Sequence, residues 1–180
     1  MVPIDELLGN RKLLQLLLFL ADNPSTEWAY TQIRVKTKLA KATLTKWLLF
    51  LEKNELVFMK PIGANKLYRV NNDNPVIKQL KVLKTITQLS SITKIAKKYT
   101  LDIFLYGSAS RGEDAEKSDI DLLIIGKIKK EEIMTEIHSC SQKIRKEIRL
   151  QVFTSLEWSK LVQKDPAFYE RVEKDKIKLS

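Results

Sequence analysis

Cysteine, histidine and long apolar runs are what this chain of 180 residues has least of, and each scarcity removes a class of function. Cys140 stands alone, so neither an internal disulfide nor a multi-cysteine zinc cluster can form. Core packing is its expected role, and a reducing cytoplasm the expected setting. The single histidine, His138, lies beside a helical apolar stripe, where surface residues are the usual outcome, and receives no role. Leu13 to Ala21, LLQLLLFLA, falls short of the roughly 20 residues a bilayer span requires and is interrupted by Gln15, so no membrane anchor is expected. Arg11 and Lys12 precede that run. Asp5 and Glu6 spoil a basic leader, however, and no small-x-small cleavage pattern follows, which argues against a signal peptide. Internal repeats and low-complexity tails are absent as well.

Acidic residues are scarce in two stretches. Overall, 32 basic residues face 22 acidic ones, a formal net charge of +10 that favours an anionic partner such as nucleic acid. From Ala29 to Leu51 there is no acid at all beside Arg34, Lys36, Lys38, Lys41 and Lys46. From Asn74 to Thr100 six lysines stand without an acid, and a solvated helix face accounts for them. With 44% hydrophobic and 30% charged residues, the chain can bury one sizeable core or two small ones.

The hydrophobic pattern predicts a helix over Leu7 to Ala21, apolar nearly all round and stopped by Asp22-Asn23-Pro24. Thr31 is placed to cap a second helix, TQIRVKTK. After a turn at Leu39-Ala40 a third helix, KATLTKWLLFLEKN, aligns Leu44, Trp47, Leu48 and Leu51 on one face. Val57 to Lys60 and Lys66 to Val70 read as two strands joined by the turn-forming Pro61-Ile62-Gly63-Ala64-Asn65. Asn71 to Asn74 is a polar joint. Asn74-Pro75 then opens a helix reaching about Tyr99, with a stripe of Ile77, Leu80, Leu83, Ile86 and Leu89 that Val76 and Val82 widen. That helix reads as a connector, a homodimer seam or part of the second domain. The domain boundary is expected there, giving domains 1–73 and 74–180.

The chemically loaded residues lie in Tyr106 to Ile125, YGSASRGEDAEKSDIDLLII. Leu101 to Tyr106 is an apolar, β-prone run that ends in Gly107-Ser108. Glycine lets a backbone approach a phosphate closely, a serine hydroxyl can donate to it, and amides at a following helix start favour its charge. Asp119 to Ile125 reads as a second strand, buried on both faces, whose two carboxylates share one side. At about 3.3 Å per residue Asp119 and Asp121 are roughly 6.6 Å apart along it, close enough to converge on a divalent ion. Downstream, Lys130 to Lys146 predicts a helix with Ile133, Ile137, Cys140 and Ile144 inward, and Glu147 to Thr154 a strand. Thr154-Ser155-Leu156-Glu157 fits a capping box, and Asp165-Pro166 opens a last helix carrying Phe168, Tyr169 and Val172.

Tyr106 to Ile125 resembles the minimal nucleotidyltransferase domains of the DNA polymerase β superfamily, built on a strand, Gly-Ser-x-x-Arg-Gly, and a second strand opened by Ser-Asp-x-Asp. The resemblance implies that Gly107 and Ser108 grip nucleotide phosphates and that Asp119 and Asp121 act as catalytic ligands of magnesium, with a nucleoside triphosphate as ligand or substrate. Arg111 would touch phosphate or form a structural ion pair that fixes the following loop. The superfamily's third carboxylate, on a later strand, is expected at Gln151, with Glu147 as its substitute in another register. An amide neither takes a proton as a carboxylate does nor adds charge to a metal pair.

Tyr30 to Val57 resembles the winged helix-turn-helix of bacterial and archaeal transcription regulators, and the match runs over roughly residues 6 to 70. It implies contact with double-stranded DNA through Lys41, Thr43 and Lys46 in the groove, and through Lys60, Lys66 and Arg69 on the wing. Ala40 stands where a serine cap is usual. Glu55 stands where a glycine commonly ends the recognition helix, and Asn54 is expected to take the left-handed cap instead. The whole is expected to be α+β, a winged helix-turn-helix domain followed by a small α/β nucleotidyltransferase-like domain with a mixed sheet. It would be a cytoplasmic transcription regulator with a nucleotide-binding second domain. The alternative is an active nucleotidyltransferase that moves a nucleoside monophosphate to a hydroxyl of a protein or small molecule, as related antitoxin domains modify a HEPN-type toxin partner.

Overall fold

A computed structural model describes residues 3–180, and in it the chain divides into two compact units, one through Lys78 and one from Gln79 to Ser180. The division falls inside a helix that begins at Pro75.

In the first unit the leading apolar stretch forms two helices, α1 (Ile4–Gly9) and α2 (Arg11–Asp22). Asn10 interrupts them: its backbone is extended, and its side-chain oxygen accepts from the amides of Lys12 and Leu13 at 3.1 Å each. An asparagine that caps a following helix ends the preceding one, which corrects the single helix expected from hydrophobicity alone. β1 (Trp28–Ala29) follows, then α3 (Tyr30–Thr37) and α4 (Lys41–Lys53). Thr31 does not cap α3. Ala29 is the cap residue, and its amide donates to the Gln32 side chain at 2.9 Å. Leu44, Trp47, Leu48 and Leu51 of α4 are all buried. Asn54 is not left-handed at the end of α4 (φ −97°). Glu55 takes that conformation instead (φ +58°), at the position where glycine would be strain-free. The hairpin β2 (Val57–Ile62) and β3 (Asn65–Val70) turns at Gly63, and β1 pairs with β3 to complete a three-stranded antiparallel sheet in the order β1-β3-β2.

α5 (Pro75–Gln88) opens under the side chain of Asn74, whose oxygen accepts from the Val76 amide at 2.9 Å. The helix does not run on unbroken to Tyr99: a 3₁₀ turn at Leu89–Ser91 separates it from α6 (Ile92–Tyr99). Its stripe also differs from the spacing argument. Leu83 is 48% exposed, whereas Lys81 and Thr85 are buried.

The sheet of the second unit is mixed, in the order β6-β5-β4-β7. β4 (Asp102–Tyr106) pairs antiparallel with β5 (Ile120–Ile125) and with β7 (Ile177–Lys178), and β5 pairs parallel with β6 (Ile148–Phe153). The crossover from β5 to β6 is α7 (Lys130–Ile144). Side chains alternate across the sheet. Ile103, Leu105, Ile120, Leu122, Ile124 and Leu150 pack on one face with Ile92 and Ile95 of α6 and Ile133, Ile137 and Cys140 of α7. On the other face Tyr106 and Leu123 meet Trp158 of α8 (Ser155–Lys164) and Val172 of α9 (Pro166–Asp175). Thr154 closes the expected capping box with Glu157, and the Asp165 side chain accepts from the Phe168 amide at 3.0 Å. No helix among the described residues is long and apolar enough to cross a membrane.

Candidate functional site

β4 ends at Tyr106, and Gly107 turns the chain with φ +76°, a left-handed conformation that costs an L side chain about 1–2 kcal/mol. The turn brings its Cα against the carboxylate of Asp121. A methyl group built on Gly107 would lie 2.5 Å from Asp121 Oδ2, so any side chain there would force the carboxylate to turn away. The segment that follows is a single 3₁₀ turn, Ala109–Arg111, closed by the left-handed Gly112 (φ +68°). It is shorter than the helix start anticipated after Gly-Ser. The Ser108 carbonyl accepts from the amides of Arg111 (3.2 Å) and Glu113 (2.9 Å), and the Ser110 hydroxyl donates to the Gly107 carbonyl at 2.8 Å.

Strand register places three side chains in a row on the α8–α9 face. Tyr106 faces Asp121 across β4 and β5, and Asp121 faces Arg149 across β5 and β6. Gln151 pairs with Leu123, two residues further along, so the position beside Asp121 belongs to Arg149. The Arg149 guanidinium lies 2.5 Å from Asp119 Oδ2. Glu147 precedes the strand; its carbonyl accepts from the Ile120 amide at 2.8 Å, and its side chain is exposed. Burial pushes the Asp121 carboxyl above the usual carboxylate range and the charge of Asp119 pushes the same way, against the pull of Arg149 and Arg171. Burial likewise raises the Tyr106 phenol, helped by Asp121 and opposed by the same two arginines. Arg171, on α9, is the other cation whose charge acts on both groups, and its guanidinium lies 5.4 Å from the Phe168 ring centre.

Arg111 is directed elsewhere. Its Nε donates to Glu113 Oε2 at 2.8 Å and one terminal nitrogen to Asp175 Oδ2 at 3.0 Å, so it ties the turn to α9 as a structural ion pair. The loop between the turn and β5 is pinned by Asp114. Its buried carboxylate lies 2.5 Å from Lys146 Nζ and 3.5 Å from Lys81 Nζ, and Lys81 also donates to the Asp114 carbonyl at 2.6 Å. Lys81, read from sequence as one of several solvated lysines, is thus an internal counter-ion.

Residues 84–179, more than half of the chain, match the model of the nucleotidyltransferase domain family. The chain belongs to that family. No curated protein matches it. Among solved structures, a crystal structure of a candidate nucleotidyltransferase from Sulfolobus solfataricus is 22% identical, covers 54% of this chain and 81% of its own, and superposes with a TM-score of 0.33.

Nucleotidyltransferase domains typically use magnesium with a nucleoside triphosphate. In this one the acids near the turn are Asp119 and Asp121, one of them held by Arg149. Among the described residues no group of three or more His, Cys, Asp or Glu side chains could hold a metal ion. The donor set does not fit a metal centre built on three carboxylates.

The basic residues of the first unit form a separate set. Lys41 and Lys46 are exposed on α4, Thr43 between them is half-buried, and Lys46 Nζ rests 4.4 Å from the Trp47 ring centre. Arg34, Lys36 and Lys38 are exposed on and just after α3. On the hairpin, Lys60, Lys66 and Arg69 are exposed, and Arg69 stacks over the exposed Phe58 ring at 5.9 Å.

Arg149 and Arg171 are the residues that sequence reasoning missed. Arg149 alternates with Gln151 on the polar side of β6, so the two share a face and only the pairing with β5 tells them apart. Arg171 lies three residues after Phe168, but where α9 docks is not written in its own spacing.

Proposed function

We propose that this chain is a transcription regulator: a winged-helix amino-terminal domain binds double-stranded DNA, and the nucleotidyltransferase domain binds a nucleoside triphosphate that controls it. The observation that carries the nucleotide half is the contact between the Gly107 turn and the Asp121 carboxylate. It sets a close-approach backbone, the Ser108 position and the Asp-x-Asp pair around one spot, with the Arg149 guanidinium beside it. The DNA half is supported by the element order of the first unit and by its charge. The order helix, short strand, two helices and hairpin suits a helix-turn-helix with a wing, and exposed cations lie on α3, α4 and the hairpin without an acid between Ala29 and Leu51.

A working transferase is the second reading, since every letter of the Gly-Ser and Asp-x-Asp motifs is present. Against it stands Arg149 beside Asp121: a guanidinium cannot accept the proton of an attacking hydroxyl. For this reason the regulator reading leads, with a homodimer on DNA as its secondary expectation, and a HEPN-type partner goes with the transferase reading.

Thermal denaturation of the full chain with each of the four nucleoside triphosphates tests the nucleotide half. Binding raises stability by RT ln(1 + [L]/Kd), about 2.7 kcal/mol at a hundredfold excess over Kd. Gly107 and Asp121 variants should lose that gain. No stabilisation by any of the four, with or without divalent metal, would reduce the motif to scaffold.

A further inference from the structure

Beside its pair of acids, this chain supplies positive charge. The neighbour of Asp121 on β6 is Arg149, and the Arg149 guanidinium reaches back 2.5 Å to Asp119. Arg171 on α9 adds a second guanidinium whose field reaches Asp121 and Tyr106. The spot facing the Gly107 turn thus pairs its two carboxylates with a guanidinium, where bare carboxylates would be repelled by a polyphosphate unless a divalent ion intervened. A planar guanidinium presents paired N–H donors in the geometry of two phosphate oxygens, so it can meet that charge directly. Arg111 is directed elsewhere, toward Glu113 and Asp175.

A structural explanation of Arg149 is weak on its own terms. Its side chain is 64% exposed, and exposed ion pairs contribute little to stability, so the fold has small need of the contact with Asp119. That same exposure leaves the guanidinium free to exchange Asp119 for an incoming phosphate.

We infer that Arg149 takes the place of the divalent ion, so that this domain binds the phosphates of a nucleotide without metal. The inference rests on the nucleotide-binding reading and adds the chemistry of recognition to it.

Titration calorimetry of the full chain with ATP, GTP, CTP, UTP and inorganic triphosphate, each in EDTA and in excess magnesium, separates the two. The expected result is binding in EDTA by at least one of these ligands, within about threefold of its affinity in magnesium, since no metal–ligand bond is being lost. Arg149→Gln should weaken binding in EDTA by about tenfold or more while the melting temperature of the free protein stays near that of wild type. Arg149→Lys, which keeps the charge but not the fork, should fall between them. Arg149→Asp, which sets a third acid beside Asp121, should bind in magnesium and not in EDTA. Binding by the wild type in magnesium alone overturns the inference and leaves the nucleotide-binding reading standing. Absence of binding in both conditions overturns both.

Discussion

Replacing Gly107 with alanine should strike the turn and the acid pair together, and the structure sets the size of the effect. The backbone at φ +76° costs alanine about 1–2 kcal/mol relative to glycine. The new Cβ would lie 2.5 Å from Asp121 Oδ2, 3.4 Å from its Cγ and 3.5 Å from its Cβ. The worst contact is with the far end of a rotatable side chain, so relief comes from turning the carboxylate off its rotamer, at about 0.5–1.5 kcal/mol, rather than from moving β5. Together these predict a loss of about 2–3 kcal/mol. Urea unfolding followed by Trp158 emission, in a Trp28→Phe, Trp47→Phe background, reports on the second unit alone. With a slope near 1.5 kcal/mol/M, typical of about a hundred residues, the midpoint should fall by roughly 1.3–2 M. In an Asp121→Ala background the collision disappears, and the same substitution should cost only the backbone part, a coupling of about 1 kcal/mol in the double-mutant cycle. A neutral Gly107→Ala would refute the left-handed turn. Equal costs in both backgrounds would refute the apposition of turn and carboxylate.

Other substitutions test the remaining parts. Asp114→Ala removes the buried carboxylate between Lys81 and Lys146 and should cost about 3 kcal/mol in the same urea assay; a cost below about 1 kcal/mol would mean that the lysines reach water instead. Asp121→Asn should be more stable than wild type at pH 7. Burial holds the folded pKa of Asp121 above its unfolded value near 4, so the wild type loses stability as pH rises through that window, and the advantage of the variant should vanish near pH 3. Denaturation midpoints across pH check this, and a pH-independent difference would contradict it. Changing both Lys41 and Lys46 to alanine should weaken duplex binding and flatten the plot of log affinity against log salt by roughly 1.8, the release of two counter-ions; an unchanged slope in fluorescence anisotropy would remove α4 from the DNA interface.

What could be read from sequence was local. Gly107-Ser108, the Asp-x-Asp strand, the Thr154 capping box and the Asp165-Pro166 helix start are each fixed by residues within a few positions of one another, and each stands close to where its spacing put it, the strand beginning at Ile120 with Asp119 just before it. Local reading also has limits within reach of a single residue. Asn10 cuts a helix that hydrophobicity runs straight through, because its cap competes with the apolar stripe. Lys81 looked like a surface lysine because its partner Asp114 lies 33 residues away on a loop with no pattern of its own. β7 has two residues, too few for any alternation, and exists because β4 offers it an open edge.

The larger miss concerns register. The apolar positions of β6, Ile148, Leu150 and Val152, fix which face of the strand is polar, but they fit β5 equally well at any shift of two residues. Within that degeneracy Gln151 and Arg149 are interchangeable candidates for the place beside Asp121. The choice is made by tertiary pairing: the carbonyl of Glu147 takes the Ile120 amide, and each following residue then has its partner, Ile148 with Ile120 and Arg149 with Asp121. A shift of two residues reverses the chemistry of the site. With Gln151 there, the acid pair would meet a neutral amide and would still need an external cation. With Arg149 there, the cation is built into the chain, and the question put to the site changes from which metal it holds to which phosphate it exchanges for Asp119.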